Sequence, residues 1–391
     1  MTASGWIDIP SALEPGRHFM QGDVACAEGA IAAGCNYYAG YPITPASEIM
    51  QHICVRFADM PSGIPAGTPA RKFMQMEDEI ASIASCIGAA WAGAKSMTAT
   101  SGPGLSLMLE NIGYAIITET PCVIVDIQRA GPSTGQATRP AQGDVMQARW
   151  GAHGDYEIIV LSPWSTQEMY SLTIRAFNLA DRFRVPVILL ADEAVGHLRE
   201  NLEVTTPVRT YVRTSDNQKG PFVGSDIPPM PPLGSGKKLL ITGSTHDEWG
   251  YRRTSSPEAQ ASLTEHLRSK ILSHASEIIE TETLLCDEDR LDALLIAYGF
   301  SARSARGAVA IAQRDGMRVG LLRLKTLWPF ADEAIRELAQ RSTHILVPEM
   351  NQGQVLREVQ RIAPRAQGYN KTNGEVIMPQ EIAEALKEIM R

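Results

Sequence analysis

The sequence predicts an α/β protein of two units, each a parallel sheet covered by helices on both faces, and three observations carry that expectation. Apolar strand-length runs alternate with helix-length segments from residue 22 to about 205 and again from 286 to 391. The run at 121–127, PCVIVDI, is apolar almost throughout, as a central parallel strand buried on both faces must be. Between the units, the stretch 220–238, GPFVGSDIPPMPPLGSGKK, has the proline and glycine density of a linker. The expected division is a first domain over 1–205, a linker and connecting helix over 206–285, and a second domain over 286–391.

In order, residues 1–20 read as a surface arm, 22–34 as a small-residue helix and 36–40 as a strand. That strand runs into Tyr41-Pro42-Ile43-Thr44-Pro45, where two prolines stiffen the backbone. Thr44 either caps the following helix or turns its hydroxyl to a ligand; both readings are open. A short strand at 72–76 leads to Glu77, Asp78 and Glu79, which open a helix to about 93. Acids in a first turn satisfy free N–H groups and the macrodipole, so capping competes with catalysis here. Along that helix Ala81, Ser85, Gly88 and Ala92 form a stripe of small residues, beside Ala84, Ala89 and Gly93. Interior helical glycines cost about 1 kcal/mol each relative to alanine, so the stripe predicts a tight contact with another backbone, between subunits for example. A carboxylate at that contact is partly desolvated, a condition that suits proton sharing with a ring nitrogen.

The strand at 96–100 turns through Thr100-Ser101-Gly102-Pro103-Gly104 into a helix at 105–117. Glycines and hydroxyls at a helix start admit an anion or a flat ring, yet the loop matches neither nucleotide-phosphate pattern. The 121–127 strand delivers Gln128-Arg129-Ala130-Gly131-Pro132-Ser133-Thr134-Gly135 at its carboxyl end. Arg129 there either grips a carboxylate or makes a surface ion pair. The loop beyond, with Thr138, Arg139, Gln142, Gly143 and Asp144, is polar and glycine-rich, like a lid or any long loop. A strand at 157–161, a helix at 165–183 and a strand at 185–191 complete the first alternation. Ligands of such sheets bind beyond the strands' carboxyl ends, so Thr44, Glu79, Ser101 and Arg129 are expected on one rim.

A short strand is expected within 239–249, and a polar helix over 256–280. His246-Asp247-Glu248 are adjacent residues that project in different directions, so no metal site is assigned to this chain. The second alternation comprises a strand at 292–299, a helix at 301–315, strands at 318–324 and 343–347, and a helix at 331–340. Its loops at 326–330 (TLWPF) and 349–354 (EMNQGQ) suit a ligand or a subunit interface, and the interface is the preferred expectation.

The totals exclude several classes. The net charge of −8 argues against nucleic acid as a principal ligand, and no stretch of about 20 apolar residues offers a membrane span. The six cysteines form no C-x-x-C pair and are expected to be reduced core residues. With no signal-peptide pattern, the expected location is the cytoplasm.

With these segments placed, nearly the whole chain resembles the alpha subunit of 2-oxoacid:ferredoxin oxidoreductases. The resemblance rests on YPITP at 41–45, QMEDEIAS at 75–82, TSGPG at 100–104, QRAGPSTG at 128–135, QGD at 142–144 and EMNQGQ at 349–354. It implies a pyrimidine-binding domain of the thiamine-diphosphate type and a C-terminal domain like that of transketolase. Glu79 then matches the glutamate that bonds the pyrimidine ring nitrogen and, by sharing a proton, favours the imino form that activates thiazolium C2. Pro42, Ser101 and Gly102 fall at the cofactor, and Thr44 and Arg129 match the groups that hold the substrate carboxylate. The chain lacks the GDG-and-asparagine pattern that holds a Mg²⁺ diphosphate and lacks cluster-forming cysteines. The resemblance therefore implies a beta subunit carrying diphosphate, Mg²⁺ and a [4Fe-4S] cluster, with coenzyme A as co-substrate, ferredoxin as acceptor, and a dimer of alpha-beta pairs. The arm before Gly22 is expected to leave no N-terminal room for the further domain some relatives carry. Length and the GPSTGQATRPAQGD stretch look most like the 2-oxoglutarate branch, with Arg139 proposed for the distal carboxylate. A pyruvate or branched-chain 2-oxoacid enzyme is the nearest alternative, and a non-catalytic scaffold subunit is an alternative of another class.

Overall fold

A computed structural model describes residues 5–60, 70–215, 219–224, 226–287 and 289–391 of the chain. The apolar run at the centre of the first unit dictates its architecture. In the strand Cys122–Ala130 side chains alternate between faces, Val123 and Val125 to one and Ile124 to the other, and all three are fully buried. Val187, Leu189 and Leu161 join the first face; Ile188 and Val160 join the second. A strand buried on both sides gains no benefit from polar alternation, which is why the run reads as continuous.

Across the first sheet the strands run Thr326–Trp328, Ile159–Leu161, Pro186–Asp192, Cys122–Ala130, Ser96–Thr100, Tyr37–Gly40 and Lys72–Gln75, with Gln136–Pro140 paired to the end of the central strand. All neighbours are parallel except Thr326–Trp328 and Gln136–Pro140. The second sheet runs Thr281–Leu284, Val319–Leu324, Leu291–Ala297, Ser342–Glu349 and Gln367–Asn370, antiparallel only at its first strand. One face of each sheet feeds the same apolar core, in which Ile124 and Ile188 share a cluster with Leu294, Ile296, Leu322 and Val347.

Several expectations are corrected. The arm contains two strands, Gly5–Ile9 and Gly16–Gln21, stitched antiparallel to Val208–Val212 and Arg199–Val204; residues 1–4 lie outside the described residues. No strand forms within 239–249, where a single bridge joins His246 to Arg252. The helix expected over 256–280 is two, Pro257–Leu272 and Ala275–Ile278, and it gives way to a strand of the second sheet at Thr281. For the TLWPF loop, which suits a ligand or a subunit interface, the interface is the preferred expectation. Instead Thr326–Trp328 pairs with Ile159–Leu161 and is buried inside the chain, closing the seam between the two sheets. Five cysteines are buried as expected, but Cys54 is exposed. Ser225 of the linker lies outside the described residues; part of the remainder is packed, while residues 233–236 are exposed. Phe222 and Met230 enter the shared core, and Arg184 donates to the Pro228 and Pro229 carbonyls at 3.2 and 2.9 Å.

A buried ionic knot holds the connecting helix to the first unit. Lys270 donates to Glu119 at 2.7 Å and to the Arg184 carbonyl at 3.0 Å, and His266 lies 2.9 Å from the same carboxylate. Burial pushes the Glu119 carboxyl up, but Lys270, His266 and Arg184 together hold it well below the usual carboxylate range. A carboxylate whose pKa is lower folded than unfolded stabilises above its unfolded value, and that stabilisation is lost as pH falls below it. Lys270→Ala removes the buried cation bonded to this carboxylate, leaving His266 and Arg184, and is expected to lower unfolding free energy by about 3 kcal/mol at neutral pH, with the gap to the parent narrowing in acid. Urea titrations at neutral and acidic pH measure both; equal midpoints at neutral pH would refute the account.

Candidate active-site rim

Four neighbouring parallel strands end on one edge of the first sheet and present, in spatial order, Arg129, Ser101, Thr44 and Glu79. The rim expected from the sequence therefore exists. At its far end the three acids divide their work. Asp78 is the N-cap of the helix Glu79–Trp91, its Oδ1 accepting from Ala81 N at 2.6 Å. Glu77 is exposed, whereas Glu79, the first helical residue, turns inward to 5% exposure. Capping thus accounts for Asp78 and leaves the Glu79 carboxylate available.

Glu79 lies directly against the glycine loop. A Cβ at Gly104 would stand 2.0 Å from Thr100 Oγ1 and 2.5 Å from Glu79 Oε1, so only glycine lets the loop and the carboxylate meet. The helix begins at Gly102, three residues before the expected start, with Ser101 as N-cap making no side-chain cap bond. Ser101 Oγ, Thr100 Oγ1 and Arg129 Nε are buried with no hydrogen-bond partner among the described residues. Buried polar atoms left unpaired are costly, and here three gather on one edge, where a polar ligand would satisfy them.

Arg129 and Thr44 are joined through the backbone: Arg129 Nη1 donates to the Thr44 carbonyl at 2.7 Å. The Thr44 side chain is exposed, and it does not cap the next helix, Ser47–Asp59, whose N-cap is Ala46. Pro42 is exposed on the same loop. Arg139 sits on the strand Gln136–Pro140 next to Pro140, which pairs with Arg129. Its side chain is exposed and is absent from the lining of the nearby cavity. That cavity, about 480 Å³, opens between the units and is lined by Gly102, Arg129, Ser133 and Asp144 from the first and by Asn351 and Gln354 from the second.

EMNQGQ therefore faces the site from the second unit, docked on the QGD segment. Asn351 Nδ2 donates to the Gln142 carbonyl at 2.6 Å and Gln354 Nε2 to the Gly143 carbonyl at 2.6 Å. Gln142 itself is buried: its amide nitrogen reaches Asp192 Oδ2 and the Tyr298 carbonyl, both at 3.2 Å, and its Oε1 accepts from Ser301 Oγ at 2.8 Å and Met350 N at 3.1 Å.

Sequence reasoning missed a pair of carboxyls beneath the glycine loop. Asp126 is fully buried on the central strand beside Asp144, and neither its carboxylate oxygens nor Asp144 Oδ2 has a hydrogen-bond partner among the described residues. Burial, and then the Asp144 carboxyl, push Asp126 well above the usual carboxylate range; burial pushes Asp144 up to about 6. Two buried neighbouring carboxyls disfavour carrying two negative charges at once. The available signal was Asp126 itself, an acid inside an otherwise apolar strand. Burial pushes the thiols of Cys26, Cys35 and Cys122 up to about 12, which disfavours a thiolate at neutral pH. Among the described residues no helix is long and apolar enough to cross a membrane.

Comparison with known proteins agrees along the length of the chain. Residues 28–265 match the family model "Pyruvate flavodoxin/ferredoxin oxidoreductase, thiamine diP-bdg", and residues 292–382 match "Pyruvate:ferredoxin oxidoreductase core domain II". The 2-oxoglutarate synthase subunit KorA of Methanothermobacter marburgensis is 47% identical over 378 residues, covering 94% of this chain and 97% of that one. The solved 2-oxoglutarate:ferredoxin oxidoreductase from Magnetococcus marinus, with 2-oxoglutarate, coenzyme A and succinyl-CoA bound, superposes with a TM-score of 0.87 at 32% identity. That match covers 96% of this chain and 66% of the solved polypeptide, so the chain spans just under two thirds of that relative. A split-gene transketolase shares the fold alone, at a TM-score of 0.53 and 11% identity over 95% of this chain and 98% of that one. With both units matched and nearly half the residues shared with KorA, the chain belongs to the 2-oxoacid:ferredoxin oxidoreductase family, as an alpha-type subunit on its 2-oxoglutarate synthase branch.

Proposed function

We propose that this subunit supplies the pyrimidine-binding half of a thiamine-diphosphate site that converts 2-oxoglutarate and coenzyme A to succinyl-CoA and CO₂, the two electrons passing singly to ferredoxin. The observation that carries the reading is the meeting of Glu79 with the Gly104 loop on the rim that also holds Arg129. The residues present fit the cofactor: a nearly buried carboxylate, a loop closable only with glycine, and the unpaired Ser101 and Thr100 hydroxyls beside it. Thiamine diphosphate, when bound, supplies the carbon nucleophile and the electron sink.

The chain's own groups do the rest. Glu79 holds a proton at the pyrimidine ring nitrogen. Ser101 and Gly102 let the ring approach the backbone, and Pro42 belongs to the cofactor side of the same rim. Arg129, its Nη1 fixed by the Thr44 carbonyl, aims its unpaired Nε at the substrate's 1-carboxylate, with the Thr44 hydroxyl beside it. Arg139, on the adjacent strand, takes the distal carboxylate that distinguishes 2-oxoglutarate from pyruvate.

The diphosphate, Mg²⁺ and [4Fe-4S] cluster belong to a beta subunit, which also passes electrons to ferredoxin, in a cytoplasmic dimer of alpha-beta pairs. The small-residue stripe supports this: Ala81, Ala84, Gly88 and Ala92 are exposed, and nothing lies within 4 Å of a Cβ built at Gly88.

In the complex isolated anaerobically through this chain, with coenzyme A present, Glu79→Ala is expected to lower 2-oxoglutarate-dependent viologen reduction by about 10²–10⁴-fold while assembly is retained. Near-normal turnover would favour the scaffold reading instead. Arg139→Ala is expected to raise KM for 2-oxoglutarate about ten- to a hundredfold, as loss of one charged hydrogen bond does, and to leave any pyruvate turnover unchanged. An unaltered KM for 2-oxoglutarate removes Arg139 from the site.

A further inference from the structure

Away from Glu79 and the cavity, three donors from three segments converge at the same end of the first sheet. Asp23 lies in the first turn of the helix Gly22–Ala32, Glu48 in the first turn of Ser47–Asp59, and His197 ends the short helix Glu193–His197. One donor atom from each lies within 4.8 Å of the others. We propose that Asp23, Glu48 and His197 bind a divalent first-row transition cation.

Four observations carry this. Asp23 is fully buried, and neither carboxylate oxygen has a hydrogen-bond partner among the described residues. A buried ionised carboxylate in that condition calls for a cation or a proton. His197 Nε2, likewise without a hydrogen bond, stands 3.8 Å from both Asp23 Oδ2 and Glu48 Oε2. That is too long for a hydrogen bond, and it suits donors that each reach about 2.0–2.2 Å to one ion between them. The other ring nitrogen is spoken for: Nδ1 lies 3.1 Å from Glu193 Oε1, the carboxylate–histidine arrangement that turns Nε2 toward a metal. Finally, the pocket is built to be tight. A Cβ at Gly196 would come within 2.7 Å of Asp23 Oδ1, and a Cβ at Gly22 within 2.2 Å of the Val195 carbonyl. Glycine at both positions lets the His197 segment close onto Asp23.

One imidazole nitrogen with two carboxylate oxygens is a donor set for Zn²⁺ or Mn²⁺, with positions left for water because Glu48 and His197 are partly exposed. The ion would pin the helix that follows the Thr44 loop to the segment that follows the strand Pro186–Asp192. It shares no residue with the proposed cofactor and substrate groups. The competing arrangement is a protonated imidazole surrounded by Asp23, Glu48 and Glu193, with no ion.

The test uses the full chain, chelator-treated and shown to unfold cooperatively, with Zn²⁺ followed by calorimetry and Mn²⁺ by electron paramagnetic resonance. Mn²⁺ avoids the exposed Cys54 thiol, which Zn²⁺ accepts. One equivalent of Mn²⁺ is expected, and one of Zn²⁺ in the Cys54→Ser background, with binding abolished by Asp23→Asn or His197→Ala and retained by His246→Ala. Glu193→Gln, which keeps the packing, is expected to weaken binding about 10- to 100-fold. No Mn²⁺ binding at millimolar concentration, or equal binding by the parent and His197→Ala, overturns the proposal and leaves the protonated imidazole.

Discussion

The Gln142 amide is the contact on which the arrangement of this chain depends. A side-chain amide has two donors and one good acceptor, and here both kinds are used on groups from both units: Asp192 from the first, the Tyr298 carbonyl, Ser301 and Met350 from the second. Each partner is buried or nearly so, and a buried network of this kind rigidifies when fully satisfied. Two residues later Asp144 reaches the rim. The junction between the sheets and the floor of the cavity are therefore consecutive parts of one segment, and neither can shift without the other.

That coupling explains the character of the site. The rim inherits its spacing from hydrogen-bonded parallel strands, so Arg129, Ser101, Thr44 and Glu79 are set by backbone pairing rather than by loop conformation. Beneath it, burial disfavours ionisation of Asp126 and Asp144, the Asp144 carboxyl disfavours that of Asp126 further, and Arg129 lies close enough to favour ionisation of both. A pair held back from full ionisation leaves the guanidinium electrostatically able to bind an anion from above. A fully ionised pair would neutralise it instead.

Much of this was legible in the sequence, and the residues show why. The strand ends, the acid at 79 and the glycine loop are local signals, governed by strand and helix periodicity and by close approach at Gly104. The division of labour between Asp78 and Glu79 was not legible, because both suit a helix start and only the twist of the chain decides which one turns inward. The strands at Gly5–Ile9 and Gly16–Gln21 were missed because their partners lie nearly 200 residues away and their side chains are half exposed, which blurs the alternation. The TLWPF loop has the apolar and aromatic character of an interface; what composition cannot state is that the partner is the same chain. Asp126 was visible as an anomaly in PCVIVDI, yet its role needed the position of Asp144.

The exposed face of the helix Glu79–Trp91 adds a last constraint. Its buried side, with Ile83, Ile87 and Trp91, anchors the helix in the shared core, while Ala81, Ala84, Gly88 and Ala92 present almost no side-chain volume outward. Intrinsic stability does not explain glycine at 88, since alanine there would meet nothing within 4 Å and would favour the helix. The residue that begins this helix is Glu79. A second backbone that approached the stripe would close the site from the side the chain leaves open and withdraw water from the carboxylate at the same time. The cost of glycine in the helix is then offset by whatever the close approach of a second backbone gains, a gain the isolated chain does not show.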